Sequence, residues 1–172
     1  MKTVVINFIL LMSLATLSAF PQQATTQDSL LDHMVGKWVL QGIIAGKETT
    51  HDIITEWVLG HQYVQIKEVS REKDVNGKPI YEAIVFICWE QKLNRYSCLW
   101  LDNTGNGGLS NKAVGHAKAN SDKIGLLFKD TDGSLFHTTF AYNRNTDTWQ
   151  WFMDNEVNGK LQPFALVKLI RR

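Results

Sequence analysis

The sequence predicts an all-β protein, a closed antiparallel up-and-down barrel of about ten strands with a short N-terminal helix. Three observations carry this reading. From Val35 to the C-terminus, apolar and β-branched runs of about eight to eleven residues alternate with short polar or glycine-bearing segments, the rhythm of a meander. Asn76-Gly77, Asp132-Gly133 and Asn158-Gly159 are two-residue hairpin signals, because Asn or Asp followed by Gly tolerates the positive φ of the primed turns. Finally, every connection is short. Parallel neighbours need crossovers of about a dozen residues or more, so these strands must run antiparallel, and an amphipathic sheet of this width closes on itself to remove its edges.

The elements follow in order. Met1-Lys2-Thr3, the apolar stretch Val4 to Leu17 and Ser18-Ala19-Phe20-Pro21 have the charged, hydrophobic and small-residue order of a secretory signal, with cleavage expected after Ala19. The stretch is shorter than the roughly 20 residues that span a bilayer, and no later segment approaches that length, so no transmembrane anchor is expected. Export, to a periplasm or beyond the cell, is the expectation. Gln22 to Gln27 is polar and aperiodic, and residues 20–27 read as a flexible lead. Residues 28–172 then form one domain, in which Asp28 caps a short helix with Leu30, Leu31 and Met34 on its apolar side, placed to plug one barrel end. Softer breaks at Ala45 to Lys47, Gly60-His61, Gln91 to Asn94, Asn103 to Gly108, Asn120 to Asp122 and Asn143 to Asp147 complete the division. Strands are expected to start near Gly36, Asp52, Gln62, Pro79, Arg95, Leu109, Lys123, Ser134, Thr148 and Lys160.

Charge bounds the partners. The chain has 18 Lys+Arg and 17 Asp+Glu, and loss of the signal removes only Lys2. A balanced, scattered charge argues against nucleic acid, whose binding rests on phosphate neutralisation. Cys88 and Cys98 are the only cysteines; neither they nor the five histidines have a metal-binding spacing. Gly107-Gly108-Leu109-Ser110 lacks the Gly-x-Ser-x-Gly order of a nucleophile elbow and is better read as a turn.

The segment Leu30-Leu31-Asp32-His33-Met34-Val35-Gly36-Lys37-Trp38 resembles the helix, Gly-x-Trp and first strand that open lipocalins and related calycin barrels. Glu56-Trp57-Val58-Leu59-Gly60-His61-Gln62-Tyr63-Val64 and Trp100-Leu101-Asp102 look like parts of the exported lipocalin-like domains of unknown function found in bacteria. The resemblance implies a ten-stranded barrel with an internal ligand site, and brings no agreed activity. The nitric-oxide-binding haem barrels are similar in outline, but their histidine-bearing motif is not evident, so no cofactor is expected.

Register predicts the lumen. A two-residue turn at Asn76-Gly77 pairs Val75 with Lys78 and puts Val64, Ile66, Glu68 and Ser70 on one face with Tyr81, Ala83, Val85, Ile87 and Trp89. This more apolar face should point inward, leaving Glu68 either as a specificity element or as a hydrated group near the mouth. Two registers are open for the next hairpin. In one, Tyr96, Cys98, Trp100 and Asp102 point inward; in the other, Cys88 and Cys98 meet outside. The resemblance around Trp100 favours the first, and with it two free thiols. The last hairpin pairs Trp151 with Leu166 and Met153 with Phe164, and both of its faces are apolar, which raises a homodimer hypothesis. His137 falls on a strand whose following hairpin brings it near Asp154, an arrangement that would orient a general base.

The candidate ligand-binding residues are therefore Trp38, Ile66, Glu68, Val85, Trp100, Asp102, His137 and Trp151, with Trp38 first of all a plug of the barrel floor. The expected function is binding of a small apolar or amphipathic molecule in the lumen. Two alternatives stand beside it: an interaction or scaffold module with a filled barrel, and an enzyme using Glu68, Asp102 or His137 as acid or base.

Overall fold

A computed structural model describes residues 29–105 and 111–172. The expected signal and lead, residues 1–27, lie outside the described residues, as does the expected cap Asp28. The fold is a closed barrel of ten antiparallel strands: β1 (Gly36–Ile44), β2 (Lys47–Val58), β3 (Tyr63–Ser70), β4 (Glu82–Glu90), β5 (Arg95–Asp102), β6 (Val114–Lys118), β7 (Lys123–Lys129), β8 (Leu135–Asn143), β9 (Thr148–Val157) and β10 (Lys160–Arg171). Each strand pairs with its sequence neighbours, and β1 pairs with β10 from Trp38↔Arg171 to Ile44↔Ala165, which closes the sheet. Among the described residues, no helix is long and apolar enough to cross a membrane.

Alternation of burial along the strands fixes the inside. Trp38 and Leu40, Ile53 and Thr55, Val64 and Ile66, Val85 and Ile87, Tyr96 and Cys98, Ile124 and Leu126, Trp149 and Trp151, and Val167 and Leu169 are all buried, each pair one period of the pleat apart. The expected N-terminal helix is reduced to one turn, α1 (Ser29–Asp32). Its Leu30 and Leu31, with Met34 just beyond, are buried in the barrel core. Trp38 Nε1 donates to Met34 O at 2.8 Å, and the Arg171 guanidinium lies 4.0 Å from the centre of the Trp38 ring. Gly36, at φ +140°, makes this approach feasible, since a Cβ there would come within 2.4 Å of Arg171 Nη1.

Two registers differ from the sequence expectation in instructive ways, and a third, left between two alternatives, takes the favoured one. The β3–β4 connection is wider than a two-residue hairpin: Asp74 Oδ1 accepts from Asn76 N and Lys78 N, so the tip is organised around Asp74. The pairing moves by two, to Ile66↔Val85 and Glu68↔Ala83, and because the pleat repeats every two residues the inward set is unchanged. In the last hairpin, a bulge between Pro163 and Ala165 moves Trp151 to Val167 and Met153 to Ala165. Pro163 has no N–H to continue the ladder, and the bulged Phe164 packs edge-on against Phe136. Between β4 and β5 the pairs are Ile87↔Cys98 and Trp89↔Tyr96, so Cys98 is inside, Cys88 outside, and both thiols are free.

The second strand also begins five residues before the expected Asp52. Ala45 (φ 50°) and Gly46 (φ 76°) form a two-residue turn that pairs Ile44 with Lys47 and brings Thr49 and His51 into β2. The sixth strand begins at Val114, beyond the expected Leu109, which lies outside the described residues.

Candidate functional site

The strands carry a polar cluster into the half of the lumen opposite α1. β2 places His51, Ile53 and Thr55 inward, and β3 places Ile66, Glu68 and Ser70 inward beside them through the pairs His51↔Ser70 and Ile53↔Glu68. On the other side, Glu68↔Ala83, Ala83↔Asp102 and Val85↔Trp100 extend the same wall across β4 and β5. Glu68 is 1% exposed, the most deeply buried acidic side chain of the barrel.

An ionised carboxylate there needs compensation, and it is half supplied. His51 Nδ1 lies 2.5 Å from Glu68 Oε1, while Glu68 Oε2 is buried with no hydrogen-bond partner. Burial raises the Glu68 carboxyl above the usual range; the bond and charge of His51 oppose this, and the charge of Asp102 adds to it. The His51 ring stacks on Tyr81 at 5.5 Å between centroids, and the Tyr81 hydroxyl accepts from Trp100 Nε1 at 3.2 Å. Burial pushes the Tyr81 phenol far above its ordinary value, with Glu68 and Asp102 contributing, so it is a neutral hydrogen-bonding group at any physiological pH. Asp102 is half-buried, and its Oδ1 accepts from Thr104 N, Thr104 Oγ1 and Gly105 N, which binds it to the loop at the barrel mouth.

Aromatic rings cross the interior beside this cluster. Trp100 on β5 and Trp151 on β9 stand 5.4 Å apart although three strands separate theirs in the barrel wall, and Trp151 stacks on Phe140 at 4.7 Å. Trp151 Nε1 and Thr55 Oγ1 are also buried without a partner. Aromatic side chains thus meet across the lumen, which also contains polar atoms that the protein itself does not satisfy.

The structure brings Ile66, Glu68, Val85, Trp100 and Asp102 onto one wall, with Trp151 across from Trp100. It sets two sequence-predicted residues apart. Trp38 is buried at the α1 end, bonded to Met34 O, on the far side of the core from the mouth. His137 corrects a lumen assignment. Thr138 and Phe140 hold the inward positions of β8, so His137 faces outward; it does pair in register with Asp154, but its Nε2 bonds Glu156 Oε2 at 2.7 Å on the outer face. His51 is the side chain of this buried cluster that sequence reasoning missed. Its signal was parity: with β2 running from Lys47, His51 shares the inward face of Ile53 and Thr55.

Among the described residues, no group of three or more His, Cys, Asp or Glu side chains is placed to hold a metal ion. Chemically the cluster offers a carboxyl, an imidazole, a neutral phenol and aromatic faces inside an apolar wall. No protein-family model matches the chain, and no curated protein matches it.

Proposed function

We propose that the barrel binds one small amphipathic molecule at the mouth half of its lumen, with a hydrogen-bonding head at Glu68 and an apolar body against Trp100, Trp151 and Phe140. The observation that carries this reading is the unpartnered Glu68 Oε2. Leaving a buried polar atom unsatisfied costs about 1–3 kcal/mol, and more if charged, a cost that a ligand donor removes on binding. The aromatic contacts across the interior favour a small ligand over a long one. Export of the chain, read from residues 1–19, belongs to the same proposal.

The test is mass spectrometry of an organic-solvent extract from natively purified protein, set against an extract of an unrelated protein handled alike. A near-stoichiometric small amphiphile that disappears from Glu68→Gln and Trp100→Ala is the expected result. The same compound retained by both variants sinks the site assignment.

One observation favours a second reading. Ile43, Leu166 and Phe152 are 50%, 51% and 38% exposed and sit side by side on the outer face, through Ile43↔Leu166 and Phe152↔Leu166. A row of large apolar side chains across β1, β10 and β9 suits an interaction module or a homodimer. Native mass measurement at low concentration showing only monomer would remove the homodimer.

A further inference from the structure

The bonds around Glu68 continue to the protein surface. His51 Nδ1 faces Glu68 Oε1 at 2.5 Å, and the other ring nitrogen, Nε2, lies 2.9 Å from Thr49 Oγ1. The Thr49 hydroxyl in turn donates to Glu72 Oε2 at 3.1 Å, while Thr50 N fixes Glu72 Oε1 at 3.0 Å. Glu72 is only partly buried, just beyond the end of β3. Four side chains therefore join a sealed carboxyl to a solvent-accessible one by three contiguous hydrogen bonds.

We propose that Glu68, His51, Thr49 and Glu72 form a proton relay through which the buried Glu68 carboxyl exchanges its proton with solvent without the barrel opening. Three links need three protons, and the set holds them in three ways. In the first, Glu68 is protonated and donates to Nδ1, Nε2–H donates to Thr49, and Thr49 donates to ionised Glu72. Moving the Glu68 proton to Nδ1 gives the second, an imidazolium between two carboxylates. Passing Nε2–H to Thr49 Oγ1 as the Thr49 proton moves to Glu72 Oε2 gives the third, with neutral His51 donating from Nδ1 to ionised Glu68. Each arrangement has the same atoms and a single net negative charge. Only the place of the proton changes.

The surroundings set the direction of rest. Burial alone would raise Glu72, but bonds from its own N–H, from Thr50 N and from the Thr49 hydroxyl outweigh that and hold its carboxyl below the usual range. Glu68 is shifted the opposite way, so of the two carboxyls the lumen one holds a proton more tightly and Glu72 is the exit. The other ionisable groups bearing on the chain are Tyr81, stacked on His51; Asp102, whose charge disfavours ionised Glu68; and Arg71, next to Glu72 in the chain and ion-paired with Asp52 on the outer face. None of these interrupts the three links. A head group reaching Glu68 could then exchange a proton with it, a consequence that rests on the binding proposal; the relay itself does not.

The experiment is NMR of the full 15N-labelled chain, reading solvent exchange of the His51 ring N–H protons. Thr49→Val keeps the shape and removes the hydroxyl; it is expected to slow exchange about tenfold or more, equivalent to about 1.4 kcal/mol on the barrier, and Thr49→Ser to restore it. Glu72→Gln, which can accept from Thr49 but cannot take up its proton, should slow exchange as well. Backbone amide exchange in β2 reports whether the fold is intact. Ring exchange in Thr49→Val at the wild-type rate or faster overturns the relay; if that variant does not fold, a wild-type rate in Glu72→Gln does so. An empty lumen in the extract experiment would defeat the binding proposal and leave this readout untouched.

Discussion

The two ends of the barrel use the same kinds of side chain differently. At the α1 end, three indole N–H groups all find acceptors: Trp38 on Met34 O, Trp149 on His33 O and Trp57 on Asp32 Oδ1. Arg171 covers the Trp38 ring, donates to Val35 O and His33 O, and pairs with Asp147. Towards the mouth, Glu68 keeps an unpartnered oxygen, and Trp151, deeper in the lumen, an unpartnered N–H. The three satisfied indole donors at the α1 end, where Thr55 Oγ1 opposite Gly36 is the exception, teach that this end is built as a seal, while the unsatisfied carboxyl oxygen of Glu68 towards the mouth holds a cost in stability that packing alone does not explain.

The largest effect should come from breaking the seal. Trp38→Ala removes a fully buried indole and is expected to cost about 3–5 kcal/mol by urea unfolding. Replacing His51 and Glu68 together with Leu should act in reverse, raising stability by about 1–4 kcal/mol because two desolvated polar groups are lost at once. A loss comparable to that of Trp38→Ala would erase the contrast and make the mouth a second seal.

A smaller effect appears only as a slope with pH. Because the folded Glu68 carboxyl is raised, its contribution to stability is fully present below the unfolded value near 4.5 and is lost as pH rises through the folded value. Glu68→Gln imitates the protonated form, so thermal unfolding should show the variant gaining on wild type as pH rises from 4 upwards; parallel curves would mean that Glu68 is not desolvated in solution. The smallest effect is expected at Arg171→Ala, where the half-exposed guanidinium over Trp38 contributes about 0.5–1 kcal/mol. Its loss should leave the ring exchange of His51 unchanged.

The strand count and the inward face of β3, β4 and β5 were legible because Asn-Gly and Asp-Gly turns and a period of two are local signals. What escaped was set by interactions local rules do not encode. Asp74 reorganised the β3–β4 tip through its own side chain, and Pro163 forced a bulge whose size no pairing rule specifies. His51 was lost to a misplaced strand start: Ala45-Gly46 is a two-residue turn with Ala in a left-handed conformation, an unusual residue for that place, and the polar run Thr49-Thr50-His51 resembles a loop. The single turn of α1 buries the expected Leu30, Leu31 and Met34 without the expected helix, because anchoring to Trp38 and Trp149 substitutes for helical length.

The pairing of β1 with β10 has a consequence for how the chain reaches this state. During synthesis each hairpin can form as it emerges, but the first strand must wait for the last, so every shorter chain carries two open edges able to recruit strands from other molecules. Closing that seam joins positions more than a hundred residues apart, a long loop closure that slows folding and concentrates the aggregation hazard in the final step.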